Sequence, residues 1–425
     1  MYLKLALKSL RNRSSSVLFT LFAMTISIFI MLGIDHVSKQ AKYSFNTTVS
    51  DVDLIVGSRS GSLNLLLYSI FRIGSATANI DWQTYEKIQS NEQLNWSIPI
   101  SLGDSHQGYR VLGTNNNYFK HYKHGARKPL VFSQGQEFKY VFDLVIGADV
   151  AKTLNYKLGD TLTLAHGLVS THFNQHNKKF LVTGILKPTG TPVDKTLHVS
   201  IQGLDALHSY PTEKSNTQYT QSPAHSLTIS HNTNHKKQLD PNYKGHSITA
   251  ILLNLKSKVM IFSLQRQLNT HSSDPLLAII PGVVLSELWQ TLAVVETAMQ
   301  FMIGLVFLST TLGLSAMLIT SIRERYREMQ LLRIIGAPPL FIFAIINIEA
   351  ILISLLSISL AIVLLYLAFI PAQHYFLNEY GIYSQTDLIS LINLHWLCLI
   401  FASTLVAATP AAYIAVKKSL LIDAT

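Results

Sequence analysis

Residues 297–337 read TAMQFMIGLVFLSTTLGLSAMLITSIRERYREMQLLRIIGA. The 26 residues from Thr297 to Ile322 contain no Asp, Glu, Lys or Arg. From Arg323 onward, charges alternate with Ile322, Tyr326, Met329 and Leu332 at helical spacing. A membrane-spanning helix needs about 20 apolar residues. The stretch therefore predicts a span followed by a short amphipathic helix lying at the membrane surface. Gly336 is placed to end that helix, and Pro338 and Pro339 begin the next segment.

Three further charge-free runs lie outside this stretch: Ser14–Ile34 (21 residues), Ala350–Asn378 (29) and Leu388–Val416 (29). Four spans are expected, at 15–34, 294–321, 340–370 and 393–416, with the polar ends of the two longest runs left outside the bilayer. The first run follows Lys4, Lys8, Arg11 and Arg13, as a signal peptide would. It exceeds the 7–15 apolar residues of such a peptide and closes on no small-x-small site, so it reads as an uncleaved anchor.

The composition of all 425 residues agrees. Hydrophobic residues make up 48% and charged residues 14%, against about 25% charged in soluble chains. Mean hydropathy is +0.27. This excludes a disordered chain and argues against an ordinary soluble enzyme. The net charge of +10 fits membrane topology better than nucleic-acid binding, and no nucleic-acid partner is expected. The one cysteine, Cys398, permits neither an intrachain disulfide nor a four-cysteine metal site.

Charge beside short loops sets orientation. Residues 1–14 carry four basic residues and no acid, the 322–337 loop carries Arg323, Arg325, Arg327 and Arg333, and the 417–425 tail carries Lys417 and Lys418. The 371–391 loop carries Glu379 and Asp387 and no Lys or Arg. Both termini and the 322–337 segment are thus expected in the cytoplasm. The short 371–391 loop and the long 35–292 segment are expected outside.

That long segment predicts an α+β domain, in two lobes, inserted between the first and second spans of an α-helical membrane protein with a 1+3 arrangement. Strand-like runs are 53–57, 140–146, 160–164 and 180–186, and helix-like runs are 81–89, 148–154 and 257–269. Asp81 and Asp149 are candidate helix starts. Residues 211–246 are polar and read as a loop.

The pattern Arg-Glu-x3-Glu-x3-Leu-Arg-x2-Gly-Ala, from Arg323 to Ala337, resembles the coupling segment of FtsX-like ABC permeases, the family of the macrolide-exporter and lipoprotein-release permeases. Residues 3–13 are similar to that family's amphipathic start. Residues 145–151, 158–162, 180–186 and 190–194 are similar to parts of its MacB-like periplasmic core. The resemblance implies a permease in the bacterial inner membrane, working as a dimer, with a homodimer favoured. It implies a separate ATP-binding subunit, which would hold ATP and magnesium, because this chain has no Gly-x4-Gly-Lys-Ser/Thr loop. It assigns Arg323, Glu324, Arg327, Glu328, Leu332, Arg333, Gly336 and Ala337 to ATPase coupling. The mechanism it implies is mechanotransmission, moving a periplasmic or lipid-anchored substrate that need not cross the bilayer. A periplasmic or lipoprotein partner fits that mechanism.

Glu349 lies in the third span, where the family often places a glutamate. An ionisable group there costs several kcal/mol unless paired or near the interface. Helix packing, coupling and proton handling are its open roles. Of the 16 histidines, 14 fall in 36–290, and two segments share the spacing His-x5-His-x3-His: His166, His172, His176 and His225, His231, His235. Imidazoles are common zinc ligands. The sites are therefore either solvated histidines or zinc ligands, and some family members resemble parts of zinc-responsive systems. No cofactor other than zinc is expected in this chain. Neither Gly-x-Ser-x-Gly nor His-Glu-x-x-His occurs, so catalysis by this chain is not expected. Besides the permease reading, a zinc-linked transport component and a non-transport regulator of a periplasmic partner remain open.

Overall fold

The computed structural model describes residues 10, 14–125, 127–167, 175–208, 237–270, 274–324, 330–331, 334–380 and 394–420. The chain divides into two compact units. One comprises Met1–Ala41, Thr291–His374 and Ser384–Thr425; the other comprises Lys42–Gln290 and Tyr375–Tyr383.

The first unit is helical. Its residues come from α1 (Ser14–Thr48), and from three helices defined here out of chain order by their long apolar runs, α6 (Pro281–Glu324), α7 (Pro339–Tyr380) and α8 (Leu394–Leu420). Among the described residues, three stretches are long and apolar enough to cross a membrane: Ser14–Asn46, Pro281–Glu324 and Pro339–Pro371. A fourth apolar helical stretch, Cys398–Ile414, is shorter. The helices meet through small and branched residues. Ala407, Ala408, Ala411 and Ala412 of α8 join Met24, Leu314, Ile346 and Ile353 in one core, and small residues let helix backbones approach closely. Ser27 and Thr310 share a hydrogen bond of 2.6 Å, and Ser315 Oγ donates to the Ala407 carbonyl at 2.7 Å. In a bilayer such polar groups must find partners inside the protein.

The helices outrun the charge-free runs. α1 continues past Ile34 to Thr48, aided by the Asp35–Lys39 pair one turn apart. α6 begins at Pro281, ahead of the expected 292 boundary, with proline at its start, where a missing N–H costs nothing. α7 runs through Pro371 to Tyr380, so 371–380 is helix, not the expected loop. One proline removes one backbone hydrogen bond, and a 42-residue helix sustains that loss.

The second unit is built on a ten-stranded sheet. Its strands are β1 (Leu54–Ser58), β2 (Leu94–His106), β3 (Tyr109–Thr114), β4 (Phe132–Gly135), β5 (Asp143–Ile146), β6 (Thr161–His166), β7 (Gln175–Leu186), β8 (Thr196–Ser200), β9 (Ala250–Leu255) and β10 (Leu276–Ile279). Their order is β10-β1-β9-β2-β3-β8-β5-β7-β4. β6 pairs with both β7 and β2, so β2, β3, β8, β5, β7 and β6 form a closed ring of pairings. The 13-residue β2 belongs to both halves of the sheet. The two expected lobes are therefore two halves of one sheet sharing this strand.

Helices α2 (Trp82–Gln89) and α5 (Ile261–Asn269) pack on the β10-β1-β9 half through Tyr85, Ile88, Leu264 and Leu268. In the ring, alternate residues Leu144 and Ile146, Leu162 and Leu164, Phe180 and Val182, and Leu197 and Val199 share one core, as the two-residue period of a strand requires. Helix α4 (Ile201–His208) adds Leu204 and Leu207 to it. Helix α3 (Ala148–Thr153) is capped by Gly147, with Asp149 inside its first turn and not at its start. A side chain at Gly147 would meet the Val193 and Asp194 carbonyl oxygens at 2.3 Å, so that capping position must be glycine.

Candidate functional site

The sequence points to three places: the segment after α6, the third apolar helix, and the histidines. In the first, Arg323 and Glu324 form the exposed last turn of α6. Gly336 has φ +99°, a left-handed backbone that glycine adopts without strain, and α7 starts three residues later. Gly336 thus lets the backbone turn just ahead of α7. Arg327, Glu328, Leu332 and Arg333 lie outside the described residues.

In the second, Glu349 is 3% exposed. It shares a helix face with Ile342, Ile346, Ala350 and Ile353, which pack together in the helical core. Its carboxyl lies on a packed face, not on an outward one.

The third gives the most defined geometry. Of the six flagged histidines, His166 is described in full and ends β6, and His176 falls in β7. His172, His225, His231 and His235 lie outside the described residues. The spacing that grouped His166 with His172 and His176 does not name its observed neighbours. Those are Asp104 and His208, and neither belongs to either spaced trio.

Local structure explains the meeting. Between Leu102 and Ser105, β2 gains one residue against β3, which is a β-bulge. Bulges re-aim side chains and recur at barrel rims. The bulge contains Gly103 and Asp104. On its other side β2 pairs with β6, Asp104 opposite His166 and Ser105 opposite Ala165. The seam is fixed by Gly167, whose N–H donates to the Gly103 carbonyl at 3.2 Å and whose carbonyl accepts from Ser105 Oγ. Gly167 has φ +75°, so the chain turns away directly after His166. His208 is the last residue of α4.

The Asp104 carboxylate is 1% exposed. His166 Nδ1 lies 2.9 Å from one of its oxygens and His208 Nε2 lies 3.5 Å from the other. The two imidazoles stack with centroids 4.7 Å apart and planes 23° apart. Both rings stay partly open to solvent, with side chains 54% and 40% exposed. The hydrogen bond to Asp104 pushes the His208 pKa up, further helped by the charges of Asp104 and Asp205, against the opposing effect of burial. One ligand atom from each of the three residues lies within 4.8 Å of the others.

Neighbouring histidines differ. His106, two residues along β2, spends both ring nitrogens: Nδ1–H donates to the Thr163 carbonyl at 2.7 Å and Nε2 accepts from the Tyr156 hydroxyl at 2.8 Å. His198 is fully buried between Tyr118 and Phe119, and burial lowers its pKa to about 3. These two are structural.

A second contact set lies inside the sheet unit, between the end of α1 and the start of α6. Phe45 packs edge-on against Trp289 with centroids 5.8 Å apart. The indole N–H of Trp289 donates to Asn46 Oδ1 at 3.4 Å, and Lys42 Nζ lies 5.9 Å over its ring.

Comparison with known proteins covers most of the chain. The family model for a MacB-like periplasmic core domain matches residues 17–270, and the model for an FtsX-like permease C-terminal region matches residues 300–420. No curated protein matches the chain. Among solved structures, the extracellular domain of the noncanonic ABC-type transporter YknZ from Gram-positive bacteria matches at 12% identity, over 54% of this chain and 98% of that one, with a TM-score of 0.31.

Proposed function

The chain belongs to the FtsX-like ABC-transporter permeases that carry a MacB-like periplasmic core domain, and from that premise we propose that it converts ATP hydrolysis by a separate subunit into movement of its external domain. The reading rests chiefly on helix length. The 35 residues of α1 and the 44 of α6 are about 52 Å and 66 Å long at 1.5 Å per residue, and a bilayer core is about 30 Å thick. Each helix therefore has more than enough length to cross the bilayer and continue as a stalk. In the sheet unit the two helices are tied to each other by the Phe45–Trp289–Asn46 contacts. A pair of rigid rods joined at one end can carry force.

In this reading the ATP-binding subunit docks on the Arg323–Ala337 segment, both termini are cytoplasmic in the bacterial inner membrane, and two copies of the permease pair. The ATP and magnesium sites belong to the partner. The substrate is periplasmic or lipid-anchored and is exported or extracted. Glu349 supports the helix packing through which the motion passes.

The test is coexpression of the tagged permease with its ATP-binding subunit, followed by purification in detergent and assay of ATP hydrolysis. A stable complex is expected, and charge reversal of Arg323, Arg327 and Arg333 together should dissolve it. Failure of the wild-type pair to copurify would overturn the coupling assignment. A complex that hydrolyses ATP, moves no substrate and holds a stable periplasmic protein would favour a regulatory role instead.

A further inference from the structure

We propose that Asp104, His166 and His208 form a binding site for a divalent transition metal, with zinc the best fit to the donor set. The proposal stands apart from ATPase coupling, because it concerns only the sheet unit.

Three observations carry it. The first is the donor set. Two imidazoles and one carboxylate suit zinc and its neighbours, whereas calcium and magnesium prefer oxygen alone. The second is distance. Zinc bonds of about 2.0–2.2 Å in a tetrahedron place ligand atoms about 3.3 Å apart. The two contacts to the Asp104 carboxylate, 2.9 and 3.5 Å, bracket that spacing, and the ligand atoms all lie within 4.8 Å. Modest rotation of the two partly exposed rings brings the set together. The third is access. The carboxylate is held inside while both imidazoles reach solvent, so a metal has a route in and water can fill its fourth position.

Each imidazole faces one oxygen of the same carboxylate. Metal binding needs the facing nitrogens deprotonated, so it releases protons and weakens as pH falls. The bound ion would tie β2, β6 and α4 at the seam that completes the strand ring, joining residues 62 and 42 positions apart along the chain.

The experiment uses full-length protein in detergent, stripped with EDTA and dialysed against buffered free zinc, with bound zinc counted by mass spectrometry and zinc-dependent thermal unfolding measured in parallel. The other flagged histidines could add ions of their own. Wild type is therefore compared with His166→Gln, with His208→Gln, and with a variant carrying Gln at 172, 176, 225, 231 and 235. The expectation is that His166→Gln and His208→Gln each lose one zinc per chain, or bind it at least tenfold more weakly, and lose the zinc-induced rise in Tm. The five-position variant should keep that zinc. Asp104→Asn should behave like the two histidine variants, but the decision rests on them because their side chains are partly exposed and their loss leaves the core intact. Visible absorption of the cobalt-substituted protein supplies a second readout, with a tetrahedral d–d band present in wild type and absent in His208→Gln. A wild-type chain that binds no zinc, or His166→Gln and His208→Gln variants that bind as wild type does, would overturn the proposal.

Discussion

Asp104 and His166 sit opposite each other across the two residue pairs that join β6 to β2, and the imidazole Nδ1 lies 2.9 Å from the buried carboxylate. The ring of six strands is thus completed by its shortest ladder at the place where this carboxylate and this imidazole meet. A strand pairing of two residues supplies few backbone hydrogen bonds, so side chains at the seam matter more than elsewhere in the sheet.

His208 makes the metal-free seam sensitive to pH. Its pKa in the folded protein is raised above the ordinary histidine value of 6.5, first by the hydrogen bond to Asp104. A raised pKa adds stability that is complete below the unfolded value and is lost as pH rises through the folded value. In EDTA, wild-type stability should therefore decline as pH rises above about 6.5. His208→Gln should flatten that decline. Denaturant unfolding between pH 5.5 and 8.5 checks it, and parallel curves for the two proteins would remove the Asp104–His208 coupling.

His198 acts in the opposite sense. Its pKa is depressed from 6.5 to about 3 because its buried ring resists charging, with Arg72 adding to the effect. Its contribution is present above pH 6.5 and is lost as pH falls. The loss is about 2 kcal/mol at pH 5 and about 4 kcal/mol at pH 3. Asp194 works against it, since burial raises its pKa to about 6 and its contribution grows as pH falls below that value. Comparison with a variant separates the two. The stability gap between wild type and His198→Leu should shrink steadily from pH 7 to pH 4, and a constant gap would contradict the assignment.

Two glycines near the ring should respond differently to alanine. At Gly147 the new methyl would press on two carbonyl oxygens at 2.3 Å, and backbone cannot yield as a side chain can. Gly147→Ala should cost about 1–3 kcal/mol. At Gly103, in the bulge beside Asp104, a methyl would meet nothing within 4 Å. Gly103→Ala should change stability by less than about 0.5 kcal/mol. Urea unfolding midpoints measure both.

Helix continuity gives a test of force transmission. Thr297 is exposed on α6, and proline there removes a backbone hydrogen bond and strains the turn before it, at a cost of about 3 kcal/mol. With Trp82, Trp96 and Trp396 changed to Phe, Trp289 becomes the sole fluorescent indole. ATP added to the complex should then change its emission. Thr297→Pro should abolish that change while Thr297→Ala keeps it. An emission that ignores ATP in the parent complex would argue against a mechanical role for α6.

Much of this was legible in the chain. Charge-free runs marked the apolar helices, and short strand-like runs between turn signals marked β1, β5, β6 and the later part of β7. Helix ends were less legible, because loss of apolarity at Asp35 or near Pro371 reports where a bilayer could end, not where backbone hydrogen bonding stops. The site was hardest. The spacing of His166, His172 and His176 suggested a local cluster, but the observed partners of His166 come from a bulge 62 residues earlier and a helix end 42 residues later. Nothing in Ser101-Leu-Gly-Asp-Ser-His106 announces a one-residue insertion, since that depends on how β2 registers against β3. The signals that were available are Gly103 beside an acid inside a strand, and a histidine closing an amphipathic helix.

The first and last strands of the external segment, β1 and β10, lie side by side, with Ile55 paired to Ile279 and Val56 to Ala278. The segment therefore begins and finishes at the same edge of its own sheet. A polypeptide built this way behaves as a cassette: it can be lengthened, shortened or exchanged for another module with neighbouring ends while the chain on either side keeps its spacing.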